Sequence, residues 1–480
     1  MPLSPSYSPD PVFARLGAEF ADPVEPAPFP QETVRFHNDR AARLLGLDSL
    51  DESEWRSYFA RFEALPDNLP QPLALRYHGH QFHVYNPDLG DGRGFLYAQL
   101  REAGSGRLLD LTTKGSGQTP YSRGADGRLT LKGAVREMLA TEMLEALGVP
   151  TSRTLAVIET GEDLVRGDEP SPTRSAVLTR VQHSAIRFGT FQRHAYHGRS
   201  DLIQALVDHV LEVHHPHLVA GLDAPARVQA LFQEVIRRSA ELTASWMAAG
   251  FVHGVLNTDN LNINGESFDY GPYRFLPYND PSFTAAYFDR HGLYAFGRQP
   301  AQVQWSLGKL AGALAMVGEA EALSAALDQF GPLYHAALAR AVTRRLGLTS
   351  RGSDEDKLLA SAVFRTLAEG GEALRWEPLF FDWFGGIART DQALAGPRAA
   401  LYSGPAGLDL RARLADYSGR DVSAEPYFQK DEPEELLYPE IEALWAAIAE
   451  RDDWAPLNAK IAAIRQASAA YDIACTTQDL

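Results

Sequence analysis

The middle of the chain carries oxygen-bearing side chains at a spacing suited to a metal–phosphate complex. Asn260 ends the run HGVLNTDN that begins at His253, and Asp269 follows nine residues later in the tripeptide DYG. Carboxylate and amide oxygens are hard ligands, which suit Mg²⁺ that bridges phosphate groups. The sequence therefore predicts Asn260 and Asp269 as ligands of Mg²⁺, with Mn²⁺ as an alternative metal.

The same run follows the order H-R-D-L-x-x-x-N and then D-F-G that protein kinases use. Upstream, in the kinase order, lie a glycine-rich segment at 89–95 (LGDGRGF), Lys114 at the end of an apolar strand, and Glu137 on an amphipathic helix. In kinases, a strand lysine held by a helix glutamate positions the ATP phosphates. Taken alone, the glycine segment is better explained as a hairpin turn and Lys114 as a surface residue. Five elements occur together in the kinase order, and this combination favours an ATP site. They are the glycine segment, Lys114, Glu137, the run from His253 and the tripeptide DYG.

One position departs from the kinase pattern. Val255 stands where a kinase carries its catalytic aspartate, two residues after the histidine. Because valine cannot accept a proton, either the protein is catalytically inactive or another carboxylate acts as the base. Asp259, next to Asn260, is the obvious replacement. Its position relative to the nucleotide would differ from that of the kinase aspartate.

The segments around these residues resemble the selenoprotein O (SelO) family, from about Asn38 to Leu314. The matching motifs are Gly79-His80-Gln81-Phe82, Gly90-Asp91-Gly92-Arg93, Thr119-Pro120-Tyr121-Ser122-Arg123, Asp126-Gly127, His253 to Asn260 and Asp269-Tyr270-Gly271-Pro272. Members of this family are kinase-fold pseudokinases that act as protein adenylyltransferases. They bind ATP in a flipped orientation and transfer AMP to Ser, Thr or Tyr hydroxyls of proteins.

The resemblance implies a role for each matching site residue. Asp259 corresponds to the general base, Asn260 and Asp269 to the Mg²⁺ ligands, and Glu137 to the partner of Lys114. The implied contacts to ATP, the co-substrate, come from Gly90, Gly92, Arg93, Lys114, Asp126, Gly127, Arg180, Arg187 and Asp269.

Two departures from the family concern regulation. Many members pair a cysteine or selenocysteine near the C-terminus with a second cysteine in the activation segment. Here residues 281–287 contain no cysteine, and Cys475 is the one cysteine of the chain. We therefore expect that this redox switch is missing. The region after about Val317 also lacks the Asn-Pro and Arg-Asn signature of the family's C-terminus.

Composition and charge narrow the protein's class. Lys and Arg number 45 against 62 Asp and Glu, a net charge of −17, which argues against nonspecific binding of nucleic acid or anionic membranes. The N-terminal residues lack the basic and apolar regions of a signal peptide, and no apolar run reaches the roughly 18 residues of a membrane span. We expect a cytoplasmic protein whose partners are ATP and protein substrates, with no nucleic acid and no membrane.

The pattern of elements predicts an α+β, protein-kinase-like two-lobed fold. Strands are predicted at 94–100, 108–113, 153–159 and 175–181, with one helix at 132–147 between them. Helices are predicted at 202–214, 226–249, 303–317, 319–346, 354–369 and 433–451. The expected organisation is an N-terminal extension at 1–70, an N-lobe at 71–195, and a helical C-lobe with a C-terminal extension at 196–480.

The remaining histidines, a group of aromatic residues and an acidic segment are predicted to have structural roles. We expect His78, His80 and His83 not to form a metal site and His253 to brace the catalytic loop. His214, His215 and His217 are interpreted as helix-capping or solvent-facing residues. The aromatic residues of 287–296 are assigned to packing, and the acid-rich segment 429–440 to a solvated loop and helix start.

The favoured function is a Mg²⁺-dependent protein adenylyltransferase that releases pyrophosphate. Two alternatives stay open from the residues alone. One is a kinase-like phosphotransferase with Asp259 as surrogate base, and the other is a non-catalytic ATP-binding scaffold.

Overall fold

The computed structural model describes residues 3–167 and 169–473. Its strands lie mostly in the first 182 residues, as the sequence predicts. They are β1 (Ala21–Pro23), β2 (Thr33–His37), β3 (Leu73–Leu75), β4 (Gly79–Gln81), β5 (Val84–Asn86), β6 (Leu96–Arg101), β7 (Leu108–Lys114), β8 (Leu129–Thr130), β9 (Arg153–Leu164), β10 (Thr173–Gln182), β11 (Phe251–Val252) and β12 (Arg274–Phe275).

Helices dominate the chain after the last long strand. They are α1 (Asp39–Leu45), α2 (Glu52–Phe59), α3 (Leu131–Ala146), α4 (Phe188–Tyr196), α5 (Ser200–His214), α6 (Ala224–Ala248), α7 (Gln299–Leu314), α8 (Ala320–Leu327), α9 (Phe330–Arg345), α10 (Ser353–Gly370), α11 (Trp376–Asp382), α12 (Thr390–Ala395), α13 (Pro405–Leu414), α14 (Tyr438–Arg451) and α15 (Ala455–Tyr471). The protein is therefore α+β, as predicted.

The main sheet is antiparallel, in the order β1-β3-β6-β7-β10-β9-β2, and β8 pairs with β10. Its two edge strands come from the first 40 residues of the chain. In the register of β7 and β10, Lys114 lies opposite Leu178, and Thr112 lies opposite Arg180. Because side chains two residues apart share a face, Lys114 and Arg180 point to the same side of the sheet.

Helix α3 packs on strands β9 and β10 of this sheet and brings Glu137 toward Lys114. The predicted apolar stripe of α3 is buried, and Gly148 follows the helix with a positive φ of 74°, as a helix stop requires. The C-terminal helix α15 packs on the outer side of α3, where Arg465 pairs with Glu142 at 2.5 Å. The C-terminal residues thus support the helix that carries Glu137.

The prediction of one helix over 319–346 is wrong, because α8 and α9 are separated at residues 328–329. Pro332 explains the break: it has no N–H to donate to the carbonyl of residue 328, so it is tolerated only in the first turn of a new helix. The helix predicted from residue 433 begins later, at Tyr438. Helix α15 was not predicted at all.

Candidate nucleotide-binding cleft

A cleft of about 590 Å³ brings the predicted site residues together. Ten of the eleven predicted residues line it: Gly90, Gly92, Arg93, Lys114, Asp126, Gly127, Arg180, Arg187, Asp259 and Asp269. They come from sequence positions nearly 180 residues apart. The eleventh, Asn260, is not part of the described lining. It follows Asp259 directly, and its amide donates to the carbonyl of Val255 at 3.0 Å.

Lys114 is at the centre of a buried ion cluster. Its Nζ lies 2.5 Å from Glu137 and 2.7 Å from Asp269. Arg180, on the neighbouring strand, lies 3.6 Å from Glu137 and 3.7 Å from Asp269. The predicted pairing of Lys114 with Glu137 is present, and Arg180 adds a second cation to the same two carboxylates.

Asp269 is held as an anion by this cluster. Burial alone would raise its pKa, but the charges of Lys114, Arg180, Arg93 and Arg187 hold the pKa well below its usual value. Its backbone has a positive φ of 62°, a conformation that aspartate adopts more often than most non-glycine residues.

Asp259 lies in the same cleft in a different electrostatic state. Burial raises its pKa to about 6, and nearby Arg187 opposes that rise. Its Oδ1 is buried and has no hydrogen-bond partner among the described residues. Gly79 faces this oxygen, and a Cβ on Gly79 would approach Oδ1 to 3.0 Å. The carboxylate is therefore free to accept a proton near neutral pH.

Hydrogen bonds to the side chain of Thr258 fix the turn that carries Asp259. Thr258 donates its hydroxyl to Gln192 at 2.6 Å and accepts the backbone N–H of His80 at 2.7 Å. His253 braces the same region as predicted, because its Nε2 contacts the carbonyl of Phe268 at 3.0 Å. Burial lowers the pKa of His253, so its imidazole is neutral and Nε2 donates in this bond.

Arg187 links both sides of the cleft. Its guanidinium donates to the backbone carbonyl of Asp259 at 3.0 Å and lies 3.3 Å from Asp91. It also stacks over the Tyr77 ring at 4.5 Å and the Phe268 ring at 4.9 Å. These contacts fix the orientation of the arginine before any ligand binds.

The glycine-rich segment is not a hairpin turn. It connects β5, which pairs with β4, to β6, which belongs to the main sheet. A Cβ on Gly90 would collide with the Tyr121 ring, and one on Gly94 would collide with the carbonyl of Thr113. Glycine is therefore required for close packing here, and this packing brings the segment into the wall of the cleft.

Several cleft residues were not predicted as site residues. Arg123, Arg128 and Arg166 bring the cations of the described lining to seven, against four carboxylates. Arg166 pairs with Asp126 at 2.8 Å across the mouth of the cleft. Arg123 belongs to a motif of the family resemblance, so the sequence held a signal for it. For Arg128 and Arg166 we find no such signal.

The histidine clusters have structural roles. Near the cleft, His78, His80 and His83 bond to Tyr85, Gln192 and Gln302 respectively. Among the described residues, no three His, Cys, Asp or Glu side chains are grouped closely enough to hold a metal ion. The solvent-facing interpretation is wrong for His215. That side chain is buried and lies 3.1 Å from Asn264, and burial lowers its pKa to about 4.

Two further interpretations need correction. Tyr294 and Phe296 are packed as predicted, but Tyr287 is 79% exposed. The acid-rich segment 429–440 is not simply solvated, because Glu434 pairs with buried Lys460 at 2.9 Å and Glu432 with Arg375 at 2.5 Å. Cys475 lies outside the described residues.

The cleft lies within the part of the chain that matches known proteins. A family model described as "Protein adenylyltransferase SelO" matches residues 4–380, which include all residues that line the cleft. A protein nucleotidyltransferase YdiU from Synechococcus elongatus is 44% identical over 481 residues, covering 94% of this chain and 93% of the relative. The protein of that name from Gloeobacter violaceus is 46% identical over 468 residues, covering 95% of each. A third protein of that name, from Pseudomonas putida, is 40% identical over 361 residues, covering 75% of this chain and 72% of the relative.

Proposed function

The chain belongs to the SelO family of protein adenylyltransferases, and we propose that it transfers AMP from ATP to Ser, Thr or Tyr hydroxyls of other proteins. The observation that carries this proposal is the state of Asp259. It is a buried carboxylate with an unpartnered oxygen and a pKa near 6, and it faces a cleft in which cations outnumber acids. A base of this kind suits an acceptor hydroxyl, and the surplus cations suit a triphosphate.

The residues of the cleft have separate roles in the transfer. The acceptor hydroxyl oxygen attacks the α-phosphorus, and Asp259 accepts the hydroxyl proton as the new O–P bond forms. The bond from the α-phosphorus to the bridging oxygen breaks, and pyrophosphate leaves with the electron pair. Lys114, Arg180 and Arg187 stabilise the negative charge that develops on the departing group. Val255 cannot take the role of the kinase base, which supports our assignment of the proton acceptor to Asp259.

The side chains also fit a divalent metal. Asp269 is kept ionised, and the amide of Asn260 donates its N–H to Val255, so its carbonyl oxygen remains available as a ligand. When bound, Mg²⁺ or Mn²⁺ would neutralise phosphate charge. We assign Asp269 and Asn260 as the residues that hold it.

The proposal also covers the domain organisation, the location and the partners of the protein. We propose that the sheet region at 71–195 and the helical region at 196–480 correspond to the two lobes of a kinase-like fold, with the cleft between them and residues 1–70 as an extension. Among the described residues, no helix combines the length and the apolar character needed to cross a bilayer. A cytoplasmic location, with ATP and proteins as partners and no nucleic acid, is part of the same proposal.

Two parallel reactions with labelled ATP test the proposed function. The protein is incubated with Mg²⁺, a candidate protein acceptor, and ATP labelled at either the α- or the γ-phosphorus. We expect the α-label on protein and the γ-label in released pyrophosphate. Protein labelled from the γ position alone would replace this proposal with a kinase-like phosphotransferase. ATP binding without any labelled protein, including self-labelling, would indicate a scaffold.

A further inference from the structure

A second cavity lies beside the turn between β6 and β7, and its described lining shares no residue with the cleft. It has a volume of about 210 Å³. This is several times the roughly 30 Å³ that one water molecule takes up in the liquid. Its wall combines the last residue of β6, the segment 105–108, the residue after β10, residues 213–216 at the end of α5, and one residue each from α6 and the loop at 264.

The wall of this cavity carries cations and no described acid. Three arginines and three histidines line it: Arg101, Arg107, Arg238, His183, His214 and His215. Three guanidinium groups around one small space repel one another unless negative charge is present. The described lining itself provides none.

The acids that form ion pairs with these arginines do not line the cavity. Arg101 pairs with Asp10 at 2.6 Å, and Arg238 pairs through Nε with Glu234 at 2.6 Å. Arg107 makes a longer contact of 3.3 Å to Glu102. These partners orient the side chains without filling the cavity, an arrangement expected of a preformed anion site.

Buried polar atoms without partners supply a second, independent observation. Nε of Arg107 is a buried donor with no acceptor among the described residues. Nε2 of His183 and Nδ1 of His215 also lack a partner, but each ring donates through its other nitrogen, to Glu266 at 2.6 Å and to Asn264 at 3.1 Å, so the free nitrogen of the unprotonated ring is an acceptor. These two histidines are 8% and 1% exposed. A buried donor left without an acceptor costs free energy, which an anion in the cavity would recover.

We propose that this cavity binds a small oxyanion of the size of inorganic phosphate. Arg107 donates to it through Nε, and Arg101 and Arg238 neutralise its charge. His183 belongs to the segment between Arg180 and Arg187, and the loop of Asn264 follows Asp259 in the chain. An anion bound here therefore contacts two segments that also carry residues of the cleft.

Binding of labelled inorganic phosphate to the full-length protein tests the site. Arg107→Gln removes the charge and the unpartnered Nε donor at a partly exposed position, so the fold should be retained. The matched control is Arg365→Gln, which removes another ion-paired arginine, the partner of Asp409 on the protein surface. We expect wild type and the control to bind one more phosphate per chain than Arg107→Gln, or to bind it at least about tenfold more tightly.

A second variant separates this cavity from the cleft. Arg93→Met weakens any phosphate binding in the cleft and should leave the cavity's phosphate in place. Equal stoichiometry and affinity in Arg107→Gln and wild type would overturn the proposal and leave a water-filled cavity. Because the readout is phosphate binding and not AMP transfer, failure here would not bear on the proposed function.

Discussion

Two regions of this protein bury several charged side chains, and they differ in how completely the charges are matched. The first is the cleft. The second, which we call the C-terminal charge network, consists of Arg375, Asp382, Arg398, Glu432, Glu434, Glu435 and Lys460. In the network, Arg398 makes a two-pronged contact to Asp382 at 2.6 and 2.8 Å, and Lys460 pairs with Glu434 at 2.9 Å. Each of its cations is paired with an acid.

The cleft leaves its charges incompletely matched around an open volume. Its described lining has seven cations and four carboxylates, and Oδ1 of Asp259 has no partner. Each region also holds an acid with a raised pKa, since burial raises that of Asp259 to about 6 and that of Glu435 to about 7. Buried charge and a shifted pKa therefore do not by themselves identify an active site. What distinguishes the cleft from the C-terminal charge network is its surplus of one sign beside empty space.

The largest effect should come from removing the proposed base. Asp259→Asn keeps the size of the side chain but cannot accept a proton, so turnover should fall by about 10²–10⁴-fold. Binding of ATP should change little, because the cations of the cleft remain. Steady-state rates of AMP transfer and calorimetric ATP titration measure the two quantities.

Glu435→Gln is the matched control for this variant, since it neutralises the buried acid of the C-terminal charge network. We expect its turnover to equal that of wild type. If the two variants lost activity equally, the proposed distinction between the regions would be wrong.

Removing one arginine from each region should affect different properties. Arg398→Met leaves the carboxylate of Asp382 buried without its main partner, which should lower the free energy of unfolding by about 3–5 kcal/mol. Arg93→Met, at an exposed position in the cleft, should change that free energy by less than about 0.5 kcal/mol while weakening ATP binding. Chemical denaturation and ATP titration of both variants test this division. Comparable destabilisation by the two substitutions would contradict it.

The pH dependence of turnover should report the state of Asp259. Its pKa is raised to about 6, so the carboxyl is protonated and inactive as a base below that pH and ionised above it. Turnover should therefore rise about tenfold from pH 5 to a plateau above pH 7. The Asp259→Asn variant should lack this rise. A wild-type profile that is flat from pH 5 to 8 would argue against Asp259 as the base.

The smallest effect concerns thiol chemistry. Cys475 is the one cysteine in the chain, so no intrachain disulfide can form. Activity should be equal with and without a reducing agent, and Cys475→Ser should behave as wild type in both conditions. Activation by reductant that disappears in Cys475→Ser would show that this thiol has a regulatory role.

Much of the fold could be predicted because the signals are local. Short apolar runs bounded by turn residues predicted β6, β7, β9 and β10, and a 3.6-residue stripe predicted α3. The break between α8 and α9 was missed although Pro332 marks it, since the apolar pattern continues on both sides. The edge strands β1 and β2 are short and lie in a proline-rich region, where pairing with distant strands decides the structure.

The sequence by itself determined the identities and the order of the chemical groups: Lys114, Glu137, Val255, Asp259 and Asp269 all follow from local motifs. The tertiary structure alone decided their electrostatic states and partners. Arg166 reaches Asp126, and Arg187 reaches Asp91, across long sequence separations, and the opposite pKa shifts of Asp259 and Asp269 arise from burial and from neighbouring charge. The physical reason is that desolvation and Coulomb interactions depend on distances in space, which spacing along the chain does not specify.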